Sequence, residues 1–253
     1  MRLHYREYGA GPAVIILHGL FGSLNNWHSH ASRWGEFFHV FALDQRNHGG
    51  SPHASEMNYG AMAGDVREFV ADHYLSPVSL VGHSMGGKTA MQFALDYPGD
   101  VRKLVVIDIR PQGDVPLHDH IIAALQNVDF GAVRSREDVL RMLSQGVPDE
   151  AERQFLATNL RRLENGTYAW KMNLAAIADH YAELIGPLTG NGQFKGPTLF
   201  IAGETSSYIA ADDRPGILEQ FPRAQFQIIP GAGHWVHADS PELFRQAVME
   251  FLL

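Results

Sequence analysis

The stretch Ser79-Leu-Val-Gly82-His-Ser84-Met-Gly86-Gly87 constrains the fold more than any other part of the chain. It holds a serine with a glycine two residues away on each side. An apolar strand, Val78–Val81, precedes it, and a helix is predicted over Lys88–Tyr97, closed by Pro98. A strand can turn this sharply into a helix only if the two backbones come very close, and side chains at positions 82 and 86 would prevent that. The residue at the apex is then held in a strained conformation with its hydroxyl exposed, as at a nucleophile elbow. The same residues spell a second pattern. Gly82-His-Ser-Met-Gly-Gly87-Lys88-Thr89 is a literal G-x-x-x-x-G-K-[ST], and Leu104-Val-Val-Ile-Asp108 has the form of a strand ending in a magnesium-binding Asp. That reading gives no role to His18-Gly19 or to the C-terminal histidine described below. A P-loop nucleotide binder therefore stands as the remote alternative.

The rest of the chain alternates strand and helix. Arg2–Tyr8 reads as an edge strand. Ala13–Leu17, Phe37–Leu43, Val101–Ile107, Thr198–Ala202 and Ala224–Ile229 read as buried strands. Tyr59–Tyr74 carries helical spacing, and a last helix opens with Ser240 as N-cap and Pro241 in its first turn. Such an alternation predicts an α/β domain: a mostly parallel central sheet with helices on both faces. Residues 111–195 break the rhythm, with helix-like patterns at Ile121–Leu125, Val139–Leu143, Glu152–Leu163 and Asn173–Ile185 and no convincing strand. The expected organisation is a core of residues 1–110 and 196–253 interrupted by a helical cap, 111–195, over the C-terminal ends of the strands, where ligands bind in such sheets.

A serine nucleophile needs a base, an acid to orient the base, and donors for the oxyanion. His234, in Pro230-Gly-Ala-Gly-His234-Trp235, follows the last strand and precedes the last helix, and its imidazole can take the Ser84 proton near neutral pH. His237 lies nearby but is held back by Trp235 and the helix start. For the acid, the loop after Thr198–Ala202 offers no Asp at about Ser206, so Asp108, at the end of the neighbouring strand, is favoured. Glu204 is the runner-up, with Asp212 and Asp213 as outsiders. The loop His18-Gly19-Leu20-Phe21-Gly22 can aim an amide inward. The expected oxyanion donors are the backbone N–H groups of Leu20 and Met85, with Phe21 as a substitute. Phe21, Met85, Tyr208 and Trp235 adjoin these positions and are candidates to line an apolar substrate pocket.

The remaining polar clusters call for structural roles. Arg46, in Asp44-Gln-Arg46-Asn-His48-Gly49-Gly50-Ser51, is expected to brace its loop through carbonyls, and His18 to stabilise its own. His28 and His30, and His118 and His120, are closely spaced, yet none has a convincing third ligand, so no metal is expected and these are read as surface or adventitious histidines. A net charge of −8, from 28 acidic against 20 basic residues, disfavours a nucleic-acid partner. The longest apolar run near the N-terminus has strand length, no signal for export opens the chain, and there is no cysteine. Those features suit the cytoplasm, with no membrane partner.

His18-Gly-Leu20, Asp44-Gln-Arg46-Asn-His48-Gly49, Gly82-His-Ser84-Met-Gly86 and Gly231-Ala-Gly-His234-Trp235 together resemble the α/β-hydrolase superfamily, over nearly the whole chain. The strings Arg46-Asn-His-Gly49 and His18-Gly-Leu-Phe-Gly-Ser23, with an acid displaced to Asp108, are similar to the small cap-bearing bacterial esterases of YbfF type. The resemblance implies a cofactor-free serine hydrolase acting on small-molecule carboxylic esters or acyl-CoA thioesters through an acyl-enzyme on Ser84. Relatives that attack with a carboxylate are excluded by the serine. Carbon–carbon hydrolases, lyase-like members and perhydrolases share the triad, and a non-catalytic ligand-binding protein of the same fold is the alternative from another class.

Overall fold

The computed structural model describes residues 1–190 and 192–253. Seven strands form one sheet: β1 (Tyr5–Tyr8), β2 (Ala13–Leu17), β3 (His39–Leu43), β4 (Val78–His83), β5 (Val101–Ile107), β8 (Thr198–Gly203) and β9 (Ala224–Ile229). The spatial order is β1-β3-β2-β4-β5-β8-β9. Only β1 runs antiparallel, against β3; every other pairing is parallel. The parallel strands are apolar on both faces because both faces are covered. Val14, Ile16, Val81, Val105 and Ile201 pack with Trp27, Trp34 and Phe244, the last two from α1 (His28–Trp34) and α11 (Pro241–Leu252). Their sequence neighbours Ile15, Leu17, Leu80, Leu104, Val106 and Phe200 point the other way. They meet α2 (Tyr59–Asp72), α3 (Met85–Asp96) and α9 (Arg214–Gln220). A short helix, α10 (Val236–Asp239), precedes α11, and Ser240 stands at the N-cap of α11 without a side-chain capping bond.

Between β5 and β8 the chain forms α4 (Asp119–Gln126), α5 (Arg136–Leu143), α6 (Glu150–Leu156), α7 (Leu174–Asp179) and α8 (Tyr181–Ile185). It also forms a two-stranded antiparallel hairpin, β6 (Leu160–Arg162) with β7 (Tyr168–Trp170). The expectation of an insertion without strands is therefore corrected. Asn165-Gly166 lies in the turn, with Gly166 at φ +84° and Leu163 N–H donating to Thr167 O at 2.8 Å. An Asn-Gly pair between short apolar runs is the signal for such a hairpin. The helix expected over Glu152–Leu163 accordingly stops at Leu156, and the one over Asn173–Ile185 breaks at His180.

A buried lysine ties this insertion to the sheet's central helix. Lys88, on the first turn of α3, is almost wholly buried. Its Nζ donates to Gln112 O at 2.8 Å and Gly186 O at 2.7 Å, one near each joint, and pairs with Asp114 at 3.0 Å. A backbone bond, Leu188 N–H to Pro111 O at 2.9 Å, joins the two connecting segments directly. The lysine of the apparent phosphate-loop pattern is thus fully occupied within the protein. Its carbonyl partners and Asp114 would be left buried and short of a donor in Lys88→Met. That variant should unfold at lower urea, losing about 3 kcal/mol, and should be nicked faster by protease at the joints.

Candidate active site

The elbow geometry follows from how closely β4, β2 and α3 approach. A Cβ on Gly82 would stand 2.2 Å from Gly86 O, and one on Gly86 2.3 Å from Leu17 O, so any side chain there would force the segments apart. Ser84 at the apex has φ +51°, a left-handed conformation rare for a residue with a side chain. Its N–H is held by Ile107 O at 3.0 Å, and α3 starts at the next residue, earlier than the expected Lys88. Ser84 Oγ makes no hydrogen bond to another described residue. It opens with His234 into one cavity of about 880 Å³.

Asp108 follows the last residue of β5, also at positive φ (+52°), and is completely buried. Its N–H donates to Ile201 O at 2.8 Å, which fixes it against the end of β8. Asp108 Oδ2 accepts the His234 Nδ1–H at 2.7 Å, and Oδ1 accepts the Gly203 N–H at 3.1 Å. Ser206 Oγ also donates to Oδ2. The loop position at which an Asp is missing therefore supplies a hydroxyl to the displaced acid. With Nδ1–H donating in this bond, a neutral His234 ring has its lone pair on Nε2. No hydrogen bond joins Ser84 Oγ to His234 in this structure; catalytic hydrogen bonds of this kind can tighten only in the Michaelis complex. Glu204 turns elsewhere and accepts the Gly231 N–H at 2.8 Å, while Asp213 pairs with Arg110 at 3.6 Å. Neither carboxylate contacts the imidazole.

The donors for an oxyanion separate in the same way. Phe21 N–H is taken by His48 Nε2 at 3.2 Å, which removes Phe21 as a substitute. Leu20 N–H has no partner among the described residues, and Met85 N–H is the first of α3, with no intrahelical acceptor. Phe21, Tyr208 and Trp235 all line the large cavity. Tyr208 stacks on the His234 ring, centroids 3.9 Å apart, and Trp235 meets Phe155 of α6 at 5.5 Å. Met85 instead borders a small apolar recess of about 30 Å³ that also reaches Ser84.

Buried histidines set the loops around the serine. His18 Nε2 accepts the Gln45 N–H at 3.0 Å and its Nδ1–H donates to Gly19 O; His48 Nδ1–H donates to Arg46 O at 3.0 Å. His83 Nε2–H donates to the His234 carbonyl at 2.9 Å, and His237 stacks on Trp27 at 4.4 Å rather than facing the serine. Arg46 forms an ion pair with Asp65 and donates to Glu56 O and Ala61 O. Asn159, from the insertion, donates to Phe21 O at 2.7 Å. The sequence reading missed Ser206, Asn159 and His118, whose partners lie far along the chain. No group of three or more potential metal ligands occurs among the described residues, and no helix there is long and apolar enough to cross a membrane.

Loss of hydration keeps these imidazoles neutral. It lowers His18 and His83, and takes His48 and His237 down to about 3 and His118 to about 4. In the unfolded chain they titrate near ~6.5. Below that pH the unfolded state takes up protons that the folded state refuses, so folding stability is full above about pH 7 and falls as the pH drops toward about 4. His48 alone contributes up to about 1.4 kcal/mol per pH unit across this window. Urea midpoints should fall with acid accordingly, with a shallower slope in His48→Gln; midpoints independent of pH over that range would contradict this.

A family model described as alpha/beta hydrolase fold matches residues 12–241. The sn-1-specific diacylglycerol lipase ABHD11 of Mus musculus is 41% identical over 252 residues, covering 95% of this chain and 81% of the relative. Esterase YbfF of Escherichia coli is 35% identical over 240 residues, covering 94% of this chain and 92% of its own. Among solved structures, a marine microorganism esterase superposes with a TM-score of 0.96 at 43% identity, covering 98% of both chains.

Proposed function

The chain belongs to the alpha/beta hydrolase fold family, and from that premise we propose that it is a serine hydrolase cleaving neutral carboxylic esters through an acyl-enzyme on Ser84. The observation that carries the reading is the contact of His234 Nδ1 with buried Asp108 Oδ2 at 2.7 Å, His234 lining one cavity with Ser84. The ester and lipase activities named for the relatives support it.

Ser84 Oγ attacks the ester carbonyl while His234 Nε2 takes its proton. Asp108 holds the imidazole in the required tautomer and stabilises the imidazolium as it forms; Gly203 N–H and the Ser206 hydroxyl hold the carboxylate in turn. The Leu20 and Met85 amides receive the oxyanion, helped by the positive N-terminal end of α3. The imidazolium returns the proton to the departing alcohol, and water repeats the sequence on the acyl-enzyme. Residues 111–195 act as a cap on the core, 1–110 and 196–253. Through Phe155, Leu156 and Ile121 this cap supplies apolar wall to the cavity.

The lining favours uncharged substrates. Among the described residues its carboxylates are Glu152 and Asp239, and none of its lining residues is Lys or Arg. An acyl ester fits that wall better than a substrate presenting phosphate or carboxylate inside the cavity, so simple esters rank ahead of acyl-CoA thioesters.

Ser84→Ala should abolish hydrolysis of p-nitrophenyl butyrate and labelling by a fluorophosphonate while leaving the melting temperature near that of the wild type; wild-type turnover in that variant removes the mechanism. Asp108→Asn should lower kcat/KM by ~10⁴, the scale set by a triad acid. Glu204→Gln should leave it within about twofold, since surface substitutions away from a site act weakly. A larger loss from Glu204→Gln would reassign the acid.

A further inference from the structure

His118 stands just before α4, in the insertion, and borders both the large cavity and the small recess at Ser84. Its hydrogen bonds determine where its ring proton sits. The His118 backbone N–H donates to Tyr181 Oη at 2.8 Å, so the phenol oxygen acts as acceptor there. Tyr181 is buried, and among the described residues the only acceptor for its own proton is His118 Nδ1, 3.0 Å away. Nδ1 therefore accepts, and a neutral ring must carry its hydrogen on Nε2. Nε2–H has no partner among the described residues. The ring packs edge-on to Phe21, centroids 6.2 Å apart, which limits its rotation. An unpaired N–H thus belongs to a residue that lines, with Ser84, both cavities, where it is accessible to an acceptor on a bound substrate.

We infer that His118 is a positioning residue whose Nε2–H donates a hydrogen bond to a neutral acceptor oxygen of the substrate close to the scissile ester, selecting esters that carry an ether, hydroxyl or second ester oxygen over purely hydrocarbon ones. The inference rests on the ester-hydrolase reading and adds a substrate class to it. The acceptor is uncharged because the cavity lining has no cation to accompany an anion. The two compartments meeting at Ser84 differ greatly in volume, about 880 and 30 Å³, so an asymmetric ester can be seated with one long arm and one short one.

Two pairs of nearly isosteric esters test this. p-Nitrophenyl methoxyacetate against p-nitrophenyl butyrate places an ether oxygen on the acyl side; 2-methoxyethyl butyrate against n-butyl butyrate places it on the alcohol side. In His118→Leu the ratio of kcat/KM, oxygen-bearing over hydrocarbon, should fall about three- to tenfold in one of the pairs, the worth of one neutral hydrogen bond. His118→Gln, which keeps an N–H donor, should restore part of it. Tyr181→Phe, which releases Nδ1 and lets the ring change tautomer, should shift the same ratio in the same direction. Ratios equal to wild type in both pairs, or a uniform fall across all four esters, would overturn the inference. Ser84→Ala measured on the same esters reads the hydrolase assignment separately, since its failure shows as residual turnover and not as a changed ratio.

Discussion

Ser84 can occupy a left-handed backbone conformation only because the structure around it leaves no other way to join β4 to α3. Two glycines let the backbones approach to distances that a single methyl group would forbid, and β5 grips the serine amide from the side. The strain at one residue, of the order of 1–3 kcal/mol, is opposed by a sheet buried on both faces. What is obtained is placement: a hydroxyl without a partner among the described residues, at the N-terminal end of a twelve-residue helix, on the same edge of the sheet as Asp108 and His234. Asp108 repeats the device at the end of β5, with positive φ and a backbone N–H held by the next strand. Two neighbouring strands are therefore each followed by one residue at positive φ.

The buried Asp108 carboxylate follows β5 and still reaches the His234 ring. A fully buried carboxylate is costly unless its oxygens accept hydrogen bonds. It receives the His234 imidazole, the Gly203 amide and the Ser206 hydroxyl, the last two from the end of β8 and the loop after it. That loop holds the acid without supplying one. The surrounding histidines act as neutral, two-ended linkers: each fixes a backbone carbonyl or amide of a loop, and burial keeps them uncharged near neutral pH.

Much of this was legible in the sequence because the chemistry leaves few choices. A strand that must become a helix around an exposed hydroxyl requires glycine at two positions, and the parallel sheet places the ends of β4, β5 and β9 on one edge. Asp108 could be favoured because it was the one Asp at a strand end in a position to reach His234. What the sequence concealed depends on pairings between distant residues. Ser206 looked like a gap in a motif, and its hydroxyl has meaning only once Asp108 is seen 98 residues away. His118 looked like a surface histidine until Tyr181, 63 residues on, fixed its ring. The β6–β7 hairpin carried a local sign in Asn165-Gly166, yet strands of three residues are too short for an alternation to register.

Lys88 has a bearing on how such proteins diversify. The helix that begins at Met85, directly after Ser84, also carries, three residues further on, the ammonium group that gathers the carbonyls of Gln112 and Gly186. A foreign insertion transplanted into this scaffold would inherit that buried cation whatever its own sequence. Chimeras spliced between Asp114 and Gly186 keep both native carbonyls and the carboxylate while the intervening helices change. Those spliced outside must bring two carbonyls and a carboxylate of their own, or begin life with an uncompensated charge one turn from Ser84.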